Sequence, residues 1–115
     1  MIVNSNILSL IIVTFLLGAN LAFADTGKVT IISPADGAMV DSYDKTAVKY
    51  EATTGPEGDH LHLNVDGKRV DVIHQLKGTA MVDALPPGKH QICLAINTKG
   101  HVPTGVEGCI NVTSK

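Results

Sequence analysis

Residues 60–73, HLHLNVDGKRVDVI, read as a β-hairpin. Leu61, Leu63 and Val65 alternate with His60, His62 and Asn64, the period of two expected of a strand with one face on a core. Asp66-Gly67 supplies the pair that accepts the positive φ angles of a tight turn, and Lys68 to Ile73 is the return strand. The same pattern repeats outward from this hairpin. Lys28–Ser33 forms a strand closed by Pro34-Ala35-Asp36-Gly37, where proline presets φ and glycine accepts a positive one. Ala47–Thr53 presents Val48, Tyr50 and Ala52 on one side before the Gly55-Pro56-Glu57-Gly58 loop. Thr79–Leu85, Lys89–Asn97 and Glu107–Thr113 follow, the first two divided by Pro86-Pro87-Gly88, and a short further segment is expected at Ala38–Val40.

No stretch of three turns has helical spacing. Seven short strands separated by Gly and Pro turns predict an all-β fold, an immunoglobulin- or fibronectin-like Greek-key sandwich. Ahead of it, Ile7 to Leu17 is apolar except for Ser9 and Thr14, is broken at Gly18, and is followed by Ala22-Phe23-Ala24. Small residues three and one positions before a scissile bond fit signal peptidase, so residues 1–24 are expected to be a signal helix cleaved between Ala24 and Asp25. Met1 to Asn6 holds no Lys or Arg, so the peptide rests on its apolar core and its cleavage motif. With Gly18 and Asn20 interrupting it, the run falls short of the roughly 20 apolar residues of a membrane span. Residues 25–115 remain, enough for one domain and too few for two.

All nine basic and eleven acidic residues lie in that second part, for a net charge of −2. No basic stripe is present to follow phosphates or an anionic membrane, so neither nucleic acid nor, after cleavage, a membrane is an expected partner.

Cys93 and Cys109 test the sandwich. A hairpin that places them opposite one another also sets Ile92 against Ile110 and Ile96 against Val106 on the core side, with both sulfurs on the other face. Directly opposed residues of a non-hydrogen-bonded pair are close enough for a disulfide, and an exported chain is where one persists. The alternative is a reduced pair acting as soft metal ligands.

The chemistry-bearing residues are the histidines, five in all. His60 and His62 project from one face of one strand, where two imidazoles can share a metal ion; the alternative is that this is the solvent face, on which His is as acceptable as Asn64. If the strands carrying them and the cysteines share a sheet, nitrogen and sulfur donors suited to copper or zinc lie on one face. His90 is in phase with Ile92 and Leu94, which points to a hydrogen-bonded role at a strand start. His101 sits in the Thr98–Gly105 loop beside Val102-Pro103, able to reach the segment before His60. His74 follows a strand with no partner visible in the sequence, and Met39 and Met81 offer thioethers to Cu(I), although Met is more often a core filler.

Four segments resemble small exported bacterial immunoglobulin-like domains of uncharacterised function: Ser33-Pro34-Ala35-Asp36-Gly37-Ala38, His60-Leu61-His62-Leu63 running to Asp66-Gly67, Leu85-Pro86-Pro87-Gly88-Lys89-His90, and His101-Val102-Pro103. The resemblance covers most of the chain after residue 24 and implies a histidine-bearing sandwich in which His60, His62, His90 and His101 converge. The cysteine pair departs from that pattern.

Catalysis is the least supported class. Bonded cysteines offer no nucleophile, Ser33, Ser42 and Ser114 have no neighbouring base, and Asp36 and Asp41 fall in turns. Two expectations stand: a periplasmic or secreted protein that binds copper or zinc through histidines, or a structural module that recognises a periplasmic or surface protein through loops or a strand edge.

Overall fold

The protein is described here by a computed structural model covering residues 26–115. The expected signal peptide and its Ala24/Asp25 junction lie outside these residues. Eight strands follow one another: β1 (Lys28–Ser33), β2 (Ala38–Val40), β3 (Thr46–Thr53), β4 (His60–Val65), β5 (Lys68–Ile73), β6 (Lys77–Val82), β7 (Gly88–Asn97) and β8 (Pro103–Ser114). They form two sheets, β1-β3-β6 and β2-β8-β7-β4-β5. The all-β sandwich is as expected, with the short Ala38–Val40 segment present as a strand parallel to β8. Two strands differ from the sequence reading by more than one residue at an end. β6 starts and stops earlier, leaving Leu85 buried outside a strand, and β8 starts four residues sooner, at Pro103.

The core lies between the sheets. β3 contributes Val48 and Tyr50, β4 Leu61 and Leu63, β7 Ile92, Leu94 and Ile96, and β8 Ile110 and Val112. These are the inward members of each alternation, and each fully buried aliphatic side chain contributes about 1.5–3 kcal/mol. Among the described residues Tyr50 is the one large aromatic inside; its hydroxyl donates to the Gln75 carbonyl at 2.9 Å, and the Ala52 N–H donates to the Leu76 carbonyl at 2.7 Å. The β5–β6 connection is thereby pinned to β3.

At Gly108 the two sheets approach closely. This glycine pairs with Leu94 on the core face, and a Cβ there would lie 2.9 Å from the Val29 carbonyl oxygen and 3.1 Å from Val29 Cγ1. The obstruction includes backbone, so it cannot swing aside. Gly108→Ala is expected to destabilise by about 1–3 kcal/mol, the usual cost of overpacking, seen as a lower urea midpoint with an unchanged slope. An unchanged midpoint would mean that β1 has room to retreat from β8.

Candidate metal centre

Strand β4 puts His60 and His62 on the face opposite Leu61 and Leu63. At this end of the sheet that face is not open to solvent: His60 is 1% and His62 8% exposed. Two breaks in strand register explain what covers them. Between β4 and β5 the pairs Val65↔Lys68 and Asn64↔Arg69 keep the tight hairpin register, and then Val70 is skipped, so that the ladder continues as Leu63↔Asp71, His62↔Val72 and Leu61↔Ile73. That one-residue slip reverses the faces of the rest of β5. It brings His74 alongside His60, with ring centroids 5.3 Å apart.

The second break is between β7 and β8. Cys93↔Cys109 and Ile92↔Ile110 pair as expected, but after Ala95↔Glu107 the next pair is Asn97↔Pro103. The expected Ile96–Val106 pair is therefore not made, and the loop tightens to Thr98–Val102. Inside it the Thr98 N–H donates to the Val102 carbonyl, the His101 N–H to the Thr98 carbonyl, and the Val102 N–H to Thr98 Oγ1. His101 has φ of 64°, a left-handed conformation that His adopts more readily than bulkier or branched residues. Because Asn97 is the partner of His60 across β4–β7, the tip of this loop reaches His60.

Three ring nitrogens meet there. His60 Nε2 is 3.0 Å from His62 Nε2 and 3.1 Å from His101 Nδ1, and the latter two are 3.1 Å apart. Each imidazole nitrogen carries in its ring plane either one hydrogen or one lone pair, and so serves one partner well. On the far side of its ring, His60 Nδ1 lies 2.9 Å from Asp59 Oδ2. A carboxylate accepts, so Nδ1 is the protonated nitrogen and Nε2 presents a lone pair to the triangle. If His62 and His101 both donate, both hydrogens crowd that single lone pair; if either does not, two lone pairs face each other at about 3 Å. Hydrogen bonding leaves one side of the triangle unsatisfied, whereas a single cation would engage all three lone pairs.

The surroundings fit that chemistry. Gly58 precedes Asp59 in a position where a Cβ would collide with the Thr54 carbonyl oxygen and Ile96, which packs the Asp59–His60 segment tightly against the sheet. Asn97, across from His60, is 1% exposed and donates Nδ2–H to the Ala95 carbonyl at 3.1 Å. Its Oδ1 is buried with no partner among the described residues. Burial first, and then the charges of His60, Arg69 and His101, hold the His62 pKa below 6.5. His62 thus keeps a free lone pair into mildly acidic solution. By linkage, the neutral buried ring contributes stability above pH 6.5 that is lost as pH falls from 6.5 through the lowered folded value.

His90 does not join the triangle. Its Nδ1 lies 2.6 Å from Asp66 Oδ2 and its Nε2 2.7 Å from the Pro86 carbonyl. Both partners are acceptors, so the arrangement favours the doubly protonated ring, which has no lone pair for a metal. The Asp66 contact foremost, then the Pro86 carbonyl, raises the His90 pKa above 6.5, and the same contact lowers that of Asp66 below 3.8. The raised group stabilises fully below its unfolded pKa of about 6.5 and loses that contribution as pH rises through the folded value; the lowered one does so above about 3.8 and loses it as pH falls. The pair therefore acts across the acid-to-neutral range. Asp66→Asn is expected to lower the thermal midpoint at pH 5–6 and to leave it little changed at pH 9. Equal losses at both pH values would mean the contact acts without charge.

The sulfurs lie on the histidine-bearing face but take no part in the triangle. Cys93 and Cys109 are joined by a disulfide, and Cys93 stands opposite Asn64, away from the pairs His62↔Ala95 and His60↔Asn97. Nor are Met39 and Met81 core fillers: they are 57% and 51% exposed. Around the site, the sequence reading did not single out Asp59 or Asn97 and found no partner for His74, which lies beside His60. Asp59 had a usable signal, being the acidic neighbour of a strand-borne histidine pair.

Fold and site together define a two-sheet β-sandwich carrying a three-histidine cluster, with His60 and His62 buried and His101 exposed, at one end of its larger sheet. No protein-family model and no curated protein sequence matches the chain. Among solved structures it is similar to the fibronectin(III)-like modules of CbhA from Clostridium thermocellum, with a TM-score of 0.63 and 11% identity over 76% of this chain and 96% of that one. It is also similar to a lytic polysaccharide monooxygenase from Jonesia denitrificans, with a TM-score of 0.50 and 13% identity over 76% of this chain and 77% of that one. At such identities the likeness shows the fold alone, and the fold is shared by a module and an enzyme.

Proposed function

We propose that this protein is an exported metal-binding β-sandwich that holds one copper or zinc ion through His60 Nε2, His62 Nε2 and His101 Nδ1. The observation that carries this reading is the triangle of ring nitrogens 3.0–3.1 Å on a side, which hydrogen bonding alone cannot satisfy. A cation 2.0–2.1 Å from each nitrogen would sit about 1 Å outside their plane with N–metal–N angles of roughly 100°. That leaves one side open for water or a donor from another molecule. All-imidazole donors favour Cu(II) and Zn(II) over Mg(II) or Ca(II). Asp59 has the role usual for a carboxylate behind a ligating histidine: it fixes the tautomer and the ring plane and makes the nitrogen more basic. His90 is not part of the proposed ligand set. The disulfide supports an oxidising compartment, periplasmic or extracellular, where a metal carrier would meet its cargo.

Titration of the purified protein with Zn(II) and Cu(II), followed calorimetrically, tests the reading. Tight binding of at least one equivalent is expected, with protons released below pH 6.5 as the imidazoles deprotonate. Failure of both metals to bind below millimolar concentration overturns it. The second reading, a structural or protein-binding module of the periplasm or cell surface, draws on the similarity to fibronectin(III)-like modules. It gains if metal fails to bind while the protein captures a periplasmic partner in the presence of a chelator.

A further inference from the structure

His60 is buried and belongs to two groups of donors. On the Nε2 side stand His62 and His101. The Asp59 carboxylate and a His74 ring nitrogen form a second group with His60, each residue offering a ligand atom within 4.8 Å of the others. Asp59 Oδ2 is already 2.9 Å from His60 Nδ1. The backbone that carries His74 is fixed, because the next two carbonyls, of Gln75 and Leu76, are held by the Tyr50 hydroxyl and the Ala52 N–H. Its ring is exposed and lies against the His60 ring, with centroids 5.3 Å apart. A carboxylate, an imidazole and the back of a third imidazole are a donor set for a borderline divalent cation.

We propose that Asp59, His74 and His60 Nδ1 form a second cation site, so that the His60 ring bridges two divalent metal ions of the copper or zinc type. The inference rests on the first ion occupying the three-histidine site. The second ion takes the place of the His60 Nδ1 proton, which passes to solvent, and the ring becomes an imidazolate bonded to metal at both nitrogens. No electron is transferred. The two sites differ in readiness: the first has its nitrogens 3.0–3.1 Å apart, whereas the second draws on two exposed residues, Asp59 and His74, whose ligand atoms lie within 4.8 Å of each other and of His60. It therefore fills second and more weakly, by about tenfold or more.

Stepwise titration of the full protein with Zn(II), read by native mass spectrometry, is expected to show two bound ions in the wild type and one in His74→Ala, whose exposed position makes the substitution harmless to the fold. With Cu(II), the paramagnetic resonance signal is expected to grow through the first equivalent and shrink with the second, because two Cu(II) ions joined by an imidazolate couple their spins. No bound ion at all overturns the three-histidine reading itself. A single ion in both proteins, a second ion that survives His74→Ala, or a copper signal that doubles overturns the bridge and leaves the three-histidine site standing.

Discussion

Replacing His60 and His62 together by alanine is expected to abolish metal binding while the sandwich stays folded. In a four-ligand zinc site of about 10–16 kcal/mol each ligand carries on the order of 3 kcal/mol, so losing two should weaken binding by roughly four decades. Metal stabilises only the folded chain: at a hundred times the dissociation constant the wild type gains about 2.7 kcal/mol. In a domain of this size that raises the thermal midpoint by on the order of 10–20 °C. The double variant should show no such rise with Zn(II), and its metal-free circular dichroism should match the parent's. His101→Asn is the sharper single change, because Asn tolerates the left-handed φ of 64° and removes the ligand without straining the loop. Its affinity should fall while its metal-free stability holds. If Zn(II) raises the midpoint of the double variant as much as that of the wild type, the ion is bound elsewhere and the triangle is not the site.

The other large effect belongs to the disulfide. Cys93 and Cys109 are 16 residues apart in sequence and directly opposed on β7 and β8, with Cα atoms 4.1 Å apart. Closing a loop of that size stabilises by about 3 kcal/mol in the chain-entropy model, a large part of the margin of a small domain. Replacing both cysteines by serine should therefore lower the thermal midpoint by on the order of 12–24 °C. Metal stoichiometry should not change, since the sulfurs are bonded to each other and stand beside Asn64 rather than His60. Should the midpoint fall by less than about 4 °C, the neighbouring Ile92↔Ile110 and Leu94↔Gly108 pairs already hold the hairpin closed and the bond adds little. Lost metal binding in the double serine variant would instead place sulfur among the ligands.

Much of this molecule could be read from local pattern. The alternation in 60–65, the Asp66-Gly67 turn and the Gly/Pro breaks locate the strands because side-chain direction in a strand depends only on residue parity. The cysteine register follows from the same parity, and Ile92 does face Ile110. The site was less legible. A strict two-residue hairpin at Asp66-Gly67 would put Ile73, not His74, opposite His60, and only the skipped Val70 reverses this. The reach of His101 likewise depends on the β7–β8 slip that shortens its loop. Bulges are fixed by how whole sheets twist and pack, and a run of residues carries little mark of them. His90 illustrates the converse: its start-of-strand position indicated a hydrogen-bonded role, and its partners, Asp66 and the Pro86 carbonyl, come from two separate turns.

The sequence by itself determined where most strands between residues 28 and 113 would lie, which side of each would face a core, and that Cys93 and Cys109 would stand opposite one another, because parity and turn chemistry act over a few residues. Only the tertiary structure decided that three of the five histidines converge, that a fourth packs beside His60 and that His90 is held elsewhere. The spacing of those rings is set by two register slips and by the burial of an outer face, which arise from packing between strands distant in the chain.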